Sequence, residues 1–313
     1  MRVSFIIPHK GREELLAQTI KSILEIEHND CQIEVIVVTQ NTTLECSYAE
    51  QSGIPCKIIF RPEHETIAKL RNIGVSHSSG EYLAFIDADI NLSQNWLMIM
   101  LNELYVKQDR VVVSSLQQCN PAAGNIEKIK VVFQITRADR EVEYIGTSNL
   151  FMPRMIFKQA GGFPENIIVC EDYYFTQKVR QFGKLYVTSK ASHIHLGEDK
   201  NYKEVFQKEI WRGQSNLPSM RNRKVTFLEL PSILFPFWMT FFSFMALFFS
   251  IVGRFGVACI GCMLVAFPVL CYAARLYLIG KKQHIHFGEA IKFYSVYFFA
   301  RTIGTFIGLV KGK

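Results

Sequence analysis

Five apolar residues run directly into two aspartates in the stretch Tyr82-Leu-Ala-Phe-Ile-Asp-Ala-Asp89. A continuous apolar run of this length is typical of a strand that is buried on both faces of a sheet. Two carboxylates at the end of such a strand repel each other unless a cation lies between them. The stretch therefore predicts a buried strand that ends either in a polar turn or in a site for a divalent cation such as Mg²⁺ or Mn²⁺.

Short strand patterns alternate with helical patterns on either side of this stretch. Strands are predicted at Val3–Ile7, Ile33–Val38, Lys57–Phe60 and Tyr82–Ile86, and helices at Glu13–Leu24 and Ile67–Val75. The alternation predicts an α/β fold in which a mostly parallel sheet has helices on both faces. Ligands of such sheets bind beyond the carboxyl ends of the strands, where Asp87 and Asp89 are expected to lie.

Two long apolar runs follow, at residues 230–252 and 255–279. Each is long enough to cross about 30 Å of hydrocarbon as a helix, so they predict a transmembrane hairpin. Residues 227–313 hold eight lysines and arginines against two glutamates, so most of the formal net charge of +7 lies there. Basic residues flank the hairpin on both sides, which places a domain of residues 1–226 in the cytoplasm and predicts a membrane domain of residues 227–313.

A third apolar stretch, at residues 287–310, is interrupted by Glu289, Lys292 and Arg301. It is either a third span or an amphipathic helix in the cytoplasmic interface, and the charges favour the interfacial helix. A basic surplus that is confined to an apolar tail indicates contact with membrane lipids rather than with nucleic acid.

Two more motifs flank the aspartate stretch, which itself follows Leu70-Arg-Asn-Ile-Gly-Val75. One is Val3-Ser-Phe-Ile-Ile-Pro8 followed by Arg12-Glu-Glu-Leu15, and the other is Gly161-Gly-Phe-Pro-Glu165 followed by Glu171-Asp172. In this order, over roughly residues 1–220, the motifs resemble those of family 2 glycosyltransferases of the GT-A fold. The resemblance implies a GT-A fold and transfer of a sugar from a nucleotide-sugar donor.

The donor side is carried over residue by residue. Asp87 and Asp89 match the family's motif for a divalent metal ion and the donor diphosphate. Arg71 matches a basic residue near the donor. Pro8 lies where the first strand reaches the nucleotide site. The resemblance also gives His195 as a further metal ligand, for which neutral imidazole is well suited. A core or solvated histidine remains an alternative for His195.

The second predicted strand departs from the family pattern. Where the family has an acidic pair followed by glycine, this sequence has Thr39-Gln40-Asn41. The amides of Gln40 and Asn41 are expected to hydrogen-bond the edge of the base instead. The identity of the nucleotide is left open.

Asp172 matches the catalytic base of the family. Such a carboxylate removes a proton from the acceptor hydroxyl as that oxygen attacks the anomeric carbon, and a single displacement of this kind inverts the configuration. Glu171 beside it adds negative charge that favours uptake of the proton. Both residues also suit the acidic first turn of a predicted helix over Tyr173–Phe182, because they complement its dipole.

The sequence favours transfer of one sugar to a lipid-linked saccharide or another envelope glycan, because a membrane anchor raises the effective concentration of a membrane-bound acceptor. The alternative enzyme transfers sugar to a bare polyprenyl phosphate, whose anionic oxygen needs no general base. The alternative outside catalysis is a membrane scaffold that keeps the fold, and Asp87, Asp89 and Asp172 speak against it.

Overall fold

The structure is a computed structural model that describes residues 1–44, 53–167, 170–217, 220 and 230–311. The chain forms two compact units. The first consists of residues 1–121 and 133–198, and the second of residues 122–132 and 199–313. The predicted domain boundary between residues 226 and 227 lies outside the described residues, so that division stays a prediction.

Within the described residues the first unit is built on one sheet of nine strands. The strands are β1 (Arg2–His9), β2 (Gln32–Thr39), β3 (Cys56–Phe60), β4 (Tyr82–Ile86), β5 (Ile90–Leu92), β6 (Arg110–Gln118), β7 (Arg140–Val142), β8 (Asn149–Pro153) and β9 (Lys184–His195). Their order is β3-β2-β1-β4-β8-β6-β9-β5, with β7 paired to β9. Among them, β5, β7 and β8 run against the other six. The predicted α/β fold with a mostly parallel sheet is confirmed.

Helices cover both faces of this sheet. In the first unit these helices are α1 (Glu13–Leu24), α2 (Ile67–Ser76), α3 (Trp96–Val106), α5 (Arg154–Ala160) and α6 (Glu171–Val179). Two other helices precede the apolar tail: α4 (Asn125–Ile135), most of which belongs to the second unit, and α7 (Tyr202–Gly213), which lies entirely in it. Side chains alternate along β1, so that Phe5 packs into one core with Trp96 while Ile6 packs into another with Phe85. Burial on both faces is the reason why β1, β2 and β4 are continuous apolar runs in the sequence.

The register of the central strands fixes where polar side chains collect. Pro8 pairs with Val38 in the parallel pair of β1 and β2, and β4 lies on the other side of β1. The carboxyl ends of these three strands therefore meet at one edge of the sheet. Asp87 follows β4 directly at this edge, and Gln40 follows β2.

The second unit contains three apolar helices, α8 (Leu230–Ile251), α9 (Phe255–Gly280) and α10 (Phe287–Val310). By length and composition each is able to cross a membrane, over Ile233–Ile251 in the case of α8. The hairpin predicted from the sequence corresponds to α8 and α9. The third segment is a helix over the predicted residues, and its position in the interface stays a prediction.

Candidate active site

A buried arginine joins the two acidic motifs. Arg71 lies on α2 with a side chain that is 2% exposed, and its Nη2 donates to Asp87 Oδ1 over 2.9 Å. Its Nη1 donates to Glu171 Oε1 over 3.0 Å. One guanidinium therefore ties the end of β4 to the start of α6, although Glu171 lies 100 residues away along the chain. The structure thus brings together three of the predicted site residues, Arg71, Asp87 and Glu171, and Asp172 is the next residue along the chain.

Glu171 and Asp172 lie in the first turn of helix α6, and a backbone N–H and a phenol hydroxyl donate to Asp172. Asp172 Oδ1 accepts a hydrogen bond from the backbone N–H of Tyr173 at 2.7 Å. Its Oδ2 accepts one from the hydroxyl of Tyr144 at 2.5 Å. Burial and the neighbouring charge of Asp172 raise the pKa of Glu171, and Arg71 opposes this shift. The two carboxylates thus concentrate negative charge at the start of α6, and the buried guanidinium of Arg71 pairs with one of them.

Asp89 lies beside His195 because of strand pairing. β5 runs antiparallel to β9 with Ile90 opposite His195, and this places Asp89 Oδ1 3.5 Å from His195 Nε2. Asp89 Oδ2 accepts a hydrogen bond from Arg12 at 3.0 Å. Two of the three predicted metal ligands therefore come together, while Asp87 makes its ion pair with Arg71.

The residues around Asp89 fit a divalent cation that brings other ligands with it. The Nε2 atom of His195 lies beside Asp89, while its buried Nδ1 makes no hydrogen bond and lies 3.7 Å from Glu198 Oε1. A Cβ on Gly197 would lie 2.1 Å from Asp89 Oδ2, so any side chain there would fill the space. Across the described part of the chain, no three His, Cys, Asp or Glu side chains form a group able to hold a metal. Mg²⁺ is commonly bound by one or two carboxylates plus substrate phosphates, and this donor set suits such a cation.

His193 has a different environment from His195 although both lie on β9. Its Nδ1 is hydrogen-bonded to the hydroxyl of Ser115 at 3.0 Å. Burial, with a contribution from His195, lowers the pKa of His193 to about 3, so the ring is neutral at ordinary pH. His193 is therefore a core histidine that fixes β9 against β6.

The amides predicted to meet the nucleotide hold loops at the same edge. Gln40 Nε2 lies within 2.9 Å of three backbone carbonyls in residues 62–65. Asn41 Oδ1 accepts from the backbone N–H of Gly11 at 2.7 Å. Pro8 is buried near the end of β1, shortly before Gly11. Contact of Pro8, Gln40 and Asn41 with a nucleotide stays a prediction.

Two residues of the site were missed by reasoning from motifs. Arg12 was part of a family motif without a role, and its place in the turn between β1 and α1, at the carboxyl end of a strand, was a usable signal. Tyr144 lies beyond β7 in no motif, and no local sequence signal identifies it. Only the fold brings its hydroxyl to Asp172.

A model of the family Glycosyl transferase family 2 matches residues 4–164, which is more than half of the chain. The chain therefore belongs to glycosyltransferase family 2, as the sequence motifs indicated. The matched segment includes the ends of β1, β2 and β4 and the aspartates between β4 and β5.

Characterised relatives are distant. The chain is 24% identical to glycosyltransferase AglE of Haloferax volcanii over 58% of this chain and 62% of that protein. It is 21% identical to a poly(ribitol-phosphate) beta-glucosyltransferase of Bacillus spizizenii over 64% of this chain and 32% of that protein. The chain thus spans less than two thirds of the length of either relative.

The fold is similar to that of a solved structure. Mannosyltransferase PcManGT from Pyrobaculum calidifontis, solved with GDP-Man and Mn²⁺, superimposes with a TM-score of 0.59 at 15% identity. The match covers 97% of this chain and 86% of that protein. At this identity the likeness establishes the GT-A fold.

Proposed function

We propose that this glycosyltransferase is an inverting, metal-dependent enzyme that moves one sugar from a nucleotide-sugar donor to a lipid-linked saccharide or another envelope glycan. The observation that carries the proposal is the pair of ion pairs made by Arg71, with Asp87 on one side and Glu171 on the other. Because these contacts hold the start of α6 beside the donor aspartate, the base at Asp172 lies near the expected position of the sugar. Displacement in one step needs this proximity.

The donor half uses the edge where β1, β2 and β4 end. Asp89 and His195, with Asp87 nearby in sequence, would hold Mg²⁺ or Mn²⁺ together with the donor diphosphate. When bound, such an ion would neutralise the charge that develops on the leaving diphosphate. Pro8, Gln40 and Asn41 would contact the base and ribose. The likeness to PcManGT, solved with GDP-Man and Mn²⁺, supports this half of the proposal.

The acceptor half uses Asp172. Its carboxylate takes the proton of an acceptor hydroxyl as the hydroxyl oxygen forms a bond to the anomeric carbon and the diphosphate leaves. A carboxylate has about four acceptor positions, and two are used by Tyr144 and Tyr173, so positions remain for the acceptor hydroxyl. Glu171 favours uptake of the proton through its charge.

We place α8 and α9 across the membrane and α10 in its cytoplasmic interface. The reason is that α10 contacts the charged helix α7 within the second unit. The hydroxyl of Tyr202, at the start of α7, donates to Glu289 over 3.0 Å. Towards the other end of α7, a Cβ on Gly213 would lie 2.9 Å from Gly304 Cα, so the two backbones nearly touch. Helix α7 therefore contacts α10 at both of its own ends, near Glu289 and near Gly304.

Helix α7 is too charged for the hydrocarbon of a bilayer. Its charged residues are Lys203, Glu204, Lys208, Glu209 and Arg212. Each ion at the centre of a bilayer costs about 2.5–3.5 kcal/mol on insertion scales. If α10 crossed the membrane, α7 would be carried in beside it, and that cost argues for the interface.

The membrane location favours an acceptor that is itself bound to the membrane. The relative named poly(ribitol-phosphate) beta-glucosyltransferase has, by its name, a polymeric acceptor, which supports an envelope polymer over a bare polyprenyl phosphate. A polyprenyl phosphate acceptor would need no general base, so the held carboxylate of Asp172 also favours a hydroxyl acceptor.

Purified full-length protein in nanodiscs tests the activity. We would incubate it with a panel of nucleotide sugars and either lipid-linked saccharides or polyprenyl phosphate, with Mn²⁺, Mg²⁺ or a chelator. The expected result is release of nucleoside diphosphate that needs metal and a saccharide acceptor, and a product whose anomeric configuration by NMR is opposite to that of the donor. Turnover with polyprenyl phosphate alone, or a retained configuration, would contradict the proposal.

Cysteine labelling tests the location. After the native cysteines are replaced, a cysteine at Gly253 should react with an impermeant thiol reagent added from outside the cell. A cysteine at Lys311 should react only after the membrane is opened. Labelling of position 311 from outside would mean that α10 spans the bilayer.

A further inference from the structure

Both oxygens of the Asp172 carboxylate have a fixed donor. The backbone N–H of Tyr173 donates to Oδ1 at 2.7 Å, and this contact comes with the first turn of α6. The hydroxyl of Tyr144 donates to Oδ2 at 2.5 Å from a separate segment, beyond β7. Tyr144 is therefore the partner that does not follow from the helix itself.

Tyr144 is held in turn by its own neighbours. The guanidinium of Arg137 donates to the backbone carbonyl of Tyr144, and its Cζ lies 5.8 Å from the centre of the tyrosine ring. The ring of Tyr173 lies 6.0 Å from the ring of Tyr144 on another side. The phenol thus reaches Asp172 from a fixed position.

We propose that Tyr144 is a positioning residue for the general base: its hydroxyl fixes the rotamer of Asp172 and stabilises the carboxylate in the ionised form that accepts a proton. The proposal rests on the proposed function, in which Asp172 is the base. A hydrogen bond to the ionised form of a carboxylate favours that form, and one from a fixed donor also limits its orientation. Tyr144 touches neither sugar nor diphosphate in this role.

The proton itself passes only between the acceptor and Asp172. The acceptor O–H bond breaks, its proton goes to the carboxylate, and its oxygen bonds to the anomeric carbon as the diphosphate departs. Tyr144 keeps its own proton, because burial and the charge of Asp172 raise the pKa of the phenol well above its usual value. The charged and titratable groups that face this pair are Glu171, Arg71 through Glu171, Arg137 and Cys170.

The test compares Tyr144→Phe with Tyr174→Phe, which removes a phenol hydroxyl from α6 itself. At a pH below the acid limb of the wild type, single-turnover rates should fall about tenfold or more in Tyr144→Phe, because the loss of a hydrogen bond to the ionised carboxylate lowers the ionised fraction of the base. The acid limb of the pH–rate profile should move to higher pH, because the ionised carboxylate loses a donor. Donor affinity should be unchanged, and Tyr174→Phe should match the wild type in all three measurements.

A second substitution keeps the shape of the ring. With 3-fluorotyrosine at position 144 the phenol becomes a stronger donor, so the acid limb should move to lower pH, opposite to Tyr144→Phe. This variant also covers the case in which Tyr144→Phe fails to fold. A fluorotyrosine enzyme with the wild-type profile would overturn the positioning role.

Asp172→Asn separates this proposal from the function on which it rests. If that variant is inactive while both changes at position 144 leave the rate and pH profile unaltered, Tyr144 is only a packing residue and the base assignment stands. If Asp172→Asn turns over normally, the proposed function itself is wrong.

Discussion

Arg71 in the first unit and Glu209 in the second are both buried ions that lie between two partners of opposite charge. Arg71 contacts Asp87 and Glu171, so its cluster has one cation and two anions. Glu209 contacts Arg212 at 2.7 Å and Arg301 at 2.6 Å, so its cluster has one anion and two cations. Each cluster thus has one central ion with two partners, and the two clusters have opposite surplus charge.

The surplus charge indicates what each cluster is for. Around Arg71 further carboxylates follow at Asp89 and Asp172, and a negative surplus at the carboxyl edge of a sheet suits a cation that arrives with a diphosphate. Around Glu209 the surplus is positive and lies between α7 and the apolar α10, which suits the anionic surface of a membrane. The first cluster is expected to change when a ligand binds, whereas the second is expected to hold two helices together. Three substitutions test this difference.

The largest effect is expected for Asp172→Asn. Asparagine keeps the shape and much of the hydrogen bonding of the side chain, but it accepts no proton. Turnover should fall by about 10² or more, the usual weight of general-base catalysis. Donor affinity should hardly change, and more acceptor should not rescue the rate, because a missing proton acceptor lowers kcat rather than binding.

Glu171→Gln is the matched control at the neighbouring position, since it also removes one negative charge from the start of α6. It should cost much less turnover than Asp172→Asn, because its charge only biases the base. Equal losses in the two variants would mean that total charge, rather than a specific base, sets the rate.

Asp89→Ala is expected to have the next largest effect. In the wild type, Mn²⁺ should raise donor affinity in calorimetry, and in the variant this gain should disappear. Metal affinity should fall by at least the roughly 10- to 100-fold that is typical when a residue that only supports a metal ligand is lost. Circular dichroism should show an unchanged fold. Asp109→Ala is the control, because Asp109 is half exposed and pairs with Lys184 on the surface. Equal metal dependence in Asp89→Ala and the wild type would remove the metal from this site.

The edge of the sheet was predictable from the sequence because it depends on local patterns. β4 and α1 have the predicted bounds, since an apolar run and a helical period are properties of short segments. Asp87 and Asp89 follow from the same reasoning. By contrast, the contact of Tyr144 with Asp172 depends on how β7 pairs with β9, and a strand of three residues leaves little periodic signal.

The two charge clusters could not be predicted from the sequence for a similar reason. Sequence reasoning identified Arg71 and Glu171 as site residues, but nothing in either motif indicates that they form an ion pair across 100 positions. In the sequence, Arg301 is an interruption of an apolar segment. In the structure it has a counter-ion in Glu209 and a second partner in the hydroxyl of Tyr297, which explains how the segment accommodates it.

The smallest effect on chemistry, and a clear effect on stability, is expected for Glu209→Gln. The change leaves Arg301, whose side chain is 17% exposed, without its counter-charge beside apolar helices. The free energy of unfolding should fall by about 1–3 kcal/mol, or about 2–5 °C in a thermal unfolding experiment in detergent. Lys203→Gln removes one charge from an exposed position of the same helix and should leave the unfolding temperature unchanged.

In a double-mutant cycle with Arg301→Gln the two losses should not add, because both remove the same pair. Additive losses, or a Glu209→Gln protein as stable as the wild type, would mean that this ion pair does not hold α7 to α10. The contact between α7 and α10 would then depend on the Tyr202–Glu289 hydrogen bond and the glycine contacts.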